Sequence, residues 1–358
     1  MSTEFTLSSG TVQAYYELLQ EAAFKTAPEP NVTTWLIARA HRRYGLVAAV
    51  DPDVASAWAG IAASGYNNNA LVSDSTLVGQ LFASDWVEQS WMGFESDRTT
   101  PKPALCHEWK AWGSLLAAAP RVPSPLPATF SYDLVDLGRE VLSQLTIPVG
   151  LNFTSAIGCP RESACHSNFS LSAGRITRAG ELYVALLRDL DKLLATDAAF
   201  LLGPWLQAAR ELAGNATDCT DTILGDTTLS NCTDFMEWNA RAQITTWHPT
   251  DSPTNPTPPE TNPTWPGTIN DYARKQWSGL VSTYYAERVG LYLKQALTDS
   301  NLGHRRFNMT AARLRQAKLA YEWQTDFGNI GAVQPTSDPI SVSTELRAKY
   351  SDYFASCG

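Results

Sequence analysis

The stretch YDLVDLGREVLSQL, residues 132–145, decides the fold class. Its apolar residues Leu134, Leu137, Val141, Leu142 and Leu145 fall on one stripe at 3.6-residue spacing, the mark of a helix with one buried face. The same spacing returns from Gly180 through Leu182, Leu186, Leu187, Leu190, Leu193 and Leu194. Asp197 then leads into a helix through Trp205, Leu206, Ala209 and Leu212. A further stripe runs from Ile269 through Tyr272, Ala273, Gln276, Trp277, Leu280, Val281, Tyr284 and Tyr285. Shorter helices are predicted at Thr11–Phe24, Val32–Tyr44, Val54–Ala63, Asp234–Thr246 and Ala311–Trp323. Period-two alternation, the strand signal, never lasts more than a few residues. The expectation is an all-α chain: a bundle or array of packed antiparallel helices with long loops and no significant sheet.

Proline marks the breaks. PRVPSPLP at Pro120–Pro127 separates an N-terminal third from the rest. Pro249–Pro266 holds seven prolines in eighteen residues and reads as a stiff, extended insertion. The cysteine-bearing stretch Gly150–Ser170 reads as another long loop.

Composition bounds the partners. Of 358 residues, 44% are hydrophobic and 18% charged, enough for a sizeable core. The net charge of −9, with no basic run against it, repels phosphate backbones and argues against nucleic acid. No apolar run reaches the roughly 20 residues of a membrane span. Met1–Tyr16 holds no secretory leader. Yet six sequons are present, at Asn31, Asn152, Asn168, Asn215, Asn231 and Asn308. Cys159 with Cys165, and Cys219 with Cys232, are spaced for short local disulfides, leaving Cys106 and Cys357, although connectivity is not readable from sequence. Sequons and cysteines together point to a secreted or lysosomal (vacuolar) glycoprotein. The expectation that reconciles them with the missing leader is a fragment, or a gene read from a late start.

Chemistry is sparse. Phosphate-binding glycine loops, zinc-protease motifs and nucleophile elbows are absent, the five histidines are scattered as surface or capping residues, and neither metal nor cofactor is implied. Glycoside hydrolysis needs two carboxylates across one sugar bond. Asp133 and Asp136 fall at a helix start, where the dipole favours carboxylates anyway.

Six strings in order carry a resemblance. They are Trp35-Leu-Ile-Ala-Arg-Ala-His-Arg-Arg-Tyr-Gly45; Ala57-Trp58 with Gly65-Tyr66-Asn67; Phe130-Ser-Tyr-Asp-Leu-Val-Asp-Leu-Gly-Arg139; Asp197-Ala-Ala-Phe-Leu-Leu-Gly-Pro-Trp205; Glu237-Trp-Asn-Ala-Arg-Ala-Gln-Ile-Thr-Thr-Trp247; and Ile269-Asn-Asp-Tyr-Ala-Arg-Lys-Gln-Trp-Ser-Gly-Leu280. Tyr284-Tyr285 and Arg288 follow the last. Together they resemble the all-helical C-terminal domain of the α-N-acetylglucosaminidase family of glycoside hydrolases, over residues 11–358, with 1–10 outside it. The resemblance implies a retaining enzyme acting on terminal α-N-acetylglucosamine, with both catalytic glutamates on a barrel domain absent here. Glu4 is the one weak candidate for a catalytic residue, so the chain alone is expected to be inactive. The barrel, in cis or in trans, is the implied partner, and a glycan ending in α-N-acetylglucosamine the implied ligand. Trp247, Tyr66 and Asn67 are the implied substrate contacts, with Asn239 and Arg241 supporting them. The alternative is a non-catalytic secreted helical protein that binds a glycan or a partner. If a barrel packs here, an exposed apolar patch including Trp35, Trp58 and Trp247 is expected.

Overall fold

The computed structural model describes residues 9–24, 31–46, 50–64, 99–159, 172–214, 232–246, 275–304 and 306–358. Among these there are eleven α-helices and no strand; an isolated bridge joins Leu201 and Ser278. The all-α expectation holds. Glu4, Tyr66, Asn67, Asn168, Asn215, Asn231, Cys165, Cys219, Trp247 and the Pro249–Pro266 insertion lie outside the described residues.

The chain divides into two compact units. The first takes Met1–Asp74, Trp86–Pro148 and Ser337–Gly358. Its helices are α1 (Ser9–Phe24), α2 (Val32–Arg43), α3 (Pro52–Ser64), α4 (Pro103–Ala118), most of α5 (Ala128–Ala156) and α11 (Pro339–Tyr350). The second takes Ser75–Asp85 and Val149–Thr336. It holds the end of α5, then α6 (Ala173–Leu194), α7 (Leu202–Leu212), α8 (Cys232–Ile244), α9 (Ala286–Asn301) and α10 (Met309–Gln324).

In the first unit α3 packs on α4, because small residues let the backbones approach. A Cβ added to Gly60 would lie 3.1 Å from the His107 carbonyl oxygen. The start of α3 is fixed by Asp51, whose Oδ1 accepts the N–H groups of Asp53 and Val54. Arg121 clamps the same carboxylate, and this bond first of all holds Asp51 down at about 2. The C-terminal segment closes on α4. Cys106 and Cys357 form a disulfide, Trp109 stacks on Phe354 with ring centroids 4.2 Å apart, and the Arg347 guanidinium lies over the Trp109 ring. The pairing of Cys106 with Cys357 was left open by the sequence. Cys159 and Cys232 are also disulfide-bonded.

Several sequence expectations need correction. Asp133 and Asp136 do not stand at a helix start: α5 begins at Ala128, and both carboxylates are buried. Gly150–Ala156, read as loop, continues α5 with Pro148 inside it. An interior proline costs about 3 kcal/mol. Ile147, Val149, Leu151 and Phe153 are all buried around it, each contributing about 1.5–3 kcal/mol, so packing outweighs the lost hydrogen bond. The helix read from Ile269 does not run through Lys275–Ser278, which is not helical and bridges to Leu201 through Ser278. A π-helical turn at Val281–Tyr285 then feeds α9. The break falls at Gly279, whose φ of 96° suits glycine, and Asp191 of α6 accepts the N–H groups of Gly279 and Ser282. Helices α4, α9 and α11 were not foreseen. His41, expected at the surface, is buried and bridges the Ile37 carbonyl and the Asp51 N–H.

In the second unit α6 buries Leu186, Leu187, Leu190, Leu193 and Leu194 together with Ile176 and Tyr183, while Leu182 of the expected stripe is half-buried. Gly180 lets α9 in: its Cβ would meet Leu293 at 2.7 Å.

Glu108 of α4 sets a pH dependence for the first unit. Burial, and then the neighbouring Glu140 charge, push its carboxyl up from 4.5 to about 8. A folded-state value above the unfolded one means full stability below about pH 4.5 and progressive loss as pH rises towards 8. Glu108→Gln is expected to raise the melting temperature at pH 8 and leave it essentially unchanged at about pH 4, below the unfolded value, measured by differential scanning calorimetry.

Candidate functional site: the anchored base of the Trp247 segment

The candidate site residues in the described chain gather on α8. This helix keeps Trp238, Ala242 and Ile244 on its buried face, and Glu237 and Arg241 follow the same face at i, i+4 spacing. Glu237 is wholly buried and Arg241 nearly so. The Arg241 guanidinium meets Glu237 at 2.7 Å and lies 4.7 Å from the centre of the Trp323 ring. It also donates to the carbonyls of Trp323 (3.1 Å), Asp326 (3.0 Å) and Asn329 (2.8 Å). Arg210 of α7 reaches the second oxygen of Glu237, which also accepts the Gly328 N–H at 3.0 Å. One ion pair thus ties α7, α8, the end of α10 and the 326–329 loop together.

The end of α8 is secured from another side. The buried Gln324 amide donates to the hydroxyls of Thr245 (2.9 Å) and Thr246 (2.8 Å). Thr245 in turn donates to the Arg241 carbonyl at 2.7 Å. Thr246 is the residue before Trp247. Of the two expected supports, Arg241 is at the centre of this network, whereas Asn239 is exposed on the other side of the helix. Glu237, Arg210 and Gln324 escaped sequence reading. The first was signalled only by its four-residue spacing from Arg241.

Outside α8, the Trp205 indole N–H donates to the Ala240 carbonyl at 3.3 Å, and its ring pairs with Trp277 at 5.7 Å. Trp205 is 39% exposed.

The carboxylates described here are engaged in structure. Both oxygens of Glu237 are filled by Arg210, Arg241 and Gly328, with no exposed surface left. Asp133 of the first unit accepts from Arg43 at 3.0 Å and from the Tyr44 hydroxyl at 2.8 Å; the Trp58 indole donates to that hydroxyl at 3.0 Å. Burial raises Asp133 to about 6 against the pull of Arg43. Asp136 pairs with Arg139 at 2.8 Å. Arg39 meets Glu17 at 2.6 Å, and the Trp35 indole donates to Glu21 at 2.9 Å. The motif residues of α2, α3 and α5 therefore form a buried relay rather than an open acid pair. Trp35 and Trp58, expected in an exposed patch, are 4% and 2% exposed. Their indole N–H groups find their acceptors within the first unit, which favours burial over display.

The architecture is an all-α array whose buried polar motifs lock helices together. Solved structures share it. CpGH89 from Clostridium perfringens, in complex with its substrate GlcNAc-alpha-1,4-galactose, matches with a TM-score of 0.67 at 19% identity, over 96% of this chain and 34% of that one. A family 89 glycoside hydrolase from Clostridium perfringens, in complex with PUGNAc, matches with a TM-score of 0.65 at 20% identity, over 93% and 33%. Residues 35–349 match the alpha-N-acetylglucosaminidase (NAGLU) C-terminal domain, and the chain belongs to that family. The human alpha-N-acetylglucosaminidase is 29% identical over 354 residues, 94% of this chain. The chain spans 38% of the length of that relative.

Arg241→Leu would leave the Glu237 charge buried beside fewer partners. The expected cost is about 3–5 kcal/mol, read from urea unfolding, because a broken buried pair strands a desolvated charge. Arg241→Lys is expected to recover only a small part of it, since an ammonium cannot reach three carbonyls and a carboxylate at once.

Proposed function

We propose that this chain is the C-terminal helical domain, residues 11–358, of an α-N-acetylglucosaminidase that removes terminal α-N-acetylglucosamine from glycans with retention. In this reading the acid/base and nucleophile glutamates belong to a separate barrel domain, and the helical domain packs on that barrel and walls its active site. The observation that carries the proposal is family membership in a chain spanning little more than a third of its human relative.

The surface of α1 supports it. Glu17 and Glu21 turn one edge of this helix to Arg39, Arg42 and Trp35 of α2. On another edge Tyr16, Leu19 and Ala23 fall at helical spacing and are exposed, and Phe24 beside them is 91% exposed. An apolar edge turned to water suits a protein partner better than a free surface. In place of the expected Trp35 and Trp58, these residues are the candidate barrel contacts of the first unit. Trp247, Tyr66 and Asn67 remain the proposed substrate contacts; an indole stacks well on the apolar face of a pyranose. The anchoring of Thr245 and Thr246 gives the Trp247 segment a rigid base.

The compartment is proposed to be secretory or lysosomal, and the protein to be glycosylated. The described cysteines include no free thiol, which suits an oxidising environment. Among the described residues no helix is long and apolar enough to cross a membrane.

The isolated chain is expected to release nothing measurable from a chromogenic α-N-acetylglucosaminide, because one carboxylate cannot serve as both acid and nucleophile. Steady turnover by the purified chain, lost with Glu237 and Asp133 intact but Glu4→Gln introduced, would instead place a catalytic acid within it.

A further inference from the structure

The three sequons in the described residues are treated differently by folding. Asn31 is exposed, with extended backbone, immediately before α2. Its Oδ1 accepts the Thr34 N–H at 3.0 Å. Asn308 is exposed before α10, and its Oδ1 accepts the Ala311 N–H at 3.0 Å. Only the carbonyl arm of an amide can accept these bonds, so Oδ1 is committed to the cap. Nδ2, the atom an N-linked sugar occupies, is on the opposite arm. Asn152 is exposed as well, but it lies within α5. Its sequon threonine, Thr154, is fully buried, with Oγ1 donating to the Leu151 carbonyl at 3.2 Å. Cys159, just beyond, is buried and disulfide-bonded.

We propose that Asn31 and Asn308 carry N-linked glycans that coexist with their helix caps, whereas Asn152 is modified only in chains that have not yet folded. This rests on the reading that the protein enters an oxidising, glycosylating compartment. The reaction joins Asn Nδ2 to C1 of a sugar supplied by a lipid diphosphate-linked oligosaccharide. The C1–O bond to the diphosphate breaks, the electron pair leaves with the diphosphate, and one amide proton is released. Oδ1 takes no part, so each cap survives the transfer. At Asn152 a transferase would need both the amide and the Thr154 hydroxyl, and the folded helix withholds the hydroxyl. Modification there competes with the folding of α5.

The test supplies entry to the compartment, so that it stands apart from where the protein naturally resides. The full chain is translated behind a cleavable signal peptide with microsomes, with and without dithiothreitol, and occupancy is mapped by glycopeptide mass spectrometry. Asn31 and Asn308 are expected to be filled in both conditions. Asn152 occupancy is expected to rise at least twofold when dithiothreitol delays disulfide closure. An empty Asn31 or Asn308, or an Asn152 occupancy indifferent to dithiothreitol, would overturn the proposal. A second measurement isolates the cap: Asn31→Asp keeps an acceptor and should melt with the enzymatically deglycosylated protein, while Asn31→Ala should melt lower. Equal melting of the two variants would show that Asn31 is not capping α2.

Discussion

The second unit is organised around a single buried charge pair, Glu237 with Arg241. A carboxylate with no contact with water is costly unless every lone pair finds a donor. Here two guanidinium groups and a backbone N–H supply them. Arg241 then has donors to spare, and their acceptors are the carbonyls of Trp323, Asp326 and Asn329. These carbonyls belong to the end of α10 and the turn after it, where no intrahelical N–H remains to satisfy them. The pair therefore closes a helix terminus as well as neutralising itself. The loop it holds passes close over α7, where a Cβ on Gly203 would run into the Ala332 carbonyl at 2.2 Å. Such an approach requires both a glycine and a loop that stays in place.

The first unit solves the same problem with different groups. Asp133 is buried, yet Arg43, the Tyr44 hydroxyl and, through that hydroxyl, the Trp58 indole connect its helix α5 to α2 and α3. The cost of desolvation is visible in the raised Asp133 carboxyl and in the Tyr44 hydroxyl, held well above its usual range by burial and by the Asp133 charge. Residues that look like candidate chemistry in one dimension are thus the fasteners between helices. The burial is selective: polar pairs are enclosed between helices, while Tyr16, Leu19 and Phe24 of α1 and Trp205 of α7 stay exposed.

Much of this was legible in the chain. The stripes of α5 and α6 announced buried helix faces, and these faces are buried. Six motif strings in order pointed to the family to which the chain belongs. The errors have a common source. At Pro148 and at Gly279 the outcome was set by packing and partners that the local sequence does not show. Around Pro148 the surrounding side chains kept the helix intact. At Gly279 the Asp191 carboxylate and the bridge to Leu201 ended an otherwise plausible helical pattern. Trp35 and Trp58 failed as exposed residues because their indole N–H groups have acceptors inside the first unit, Glu21 and Tyr44.

Periodicity and motif order, being properties of neighbours along the chain, determined by themselves that the protein is helical, which faces are apolar and which family it belongs to. Charge pairing across 90 residues between Arg43 and Asp133, the partnership of Cys106 with Cys357 across 251, and the convergence of Arg210, Arg241 and Gly328 on one carboxylate were decided only in three dimensions. The reason is physical. A helix turn depends on contacts three and four residues apart, whereas the partner of a buried charge is whichever donor packing brings within reach, and many sequence positions offer an equivalent group.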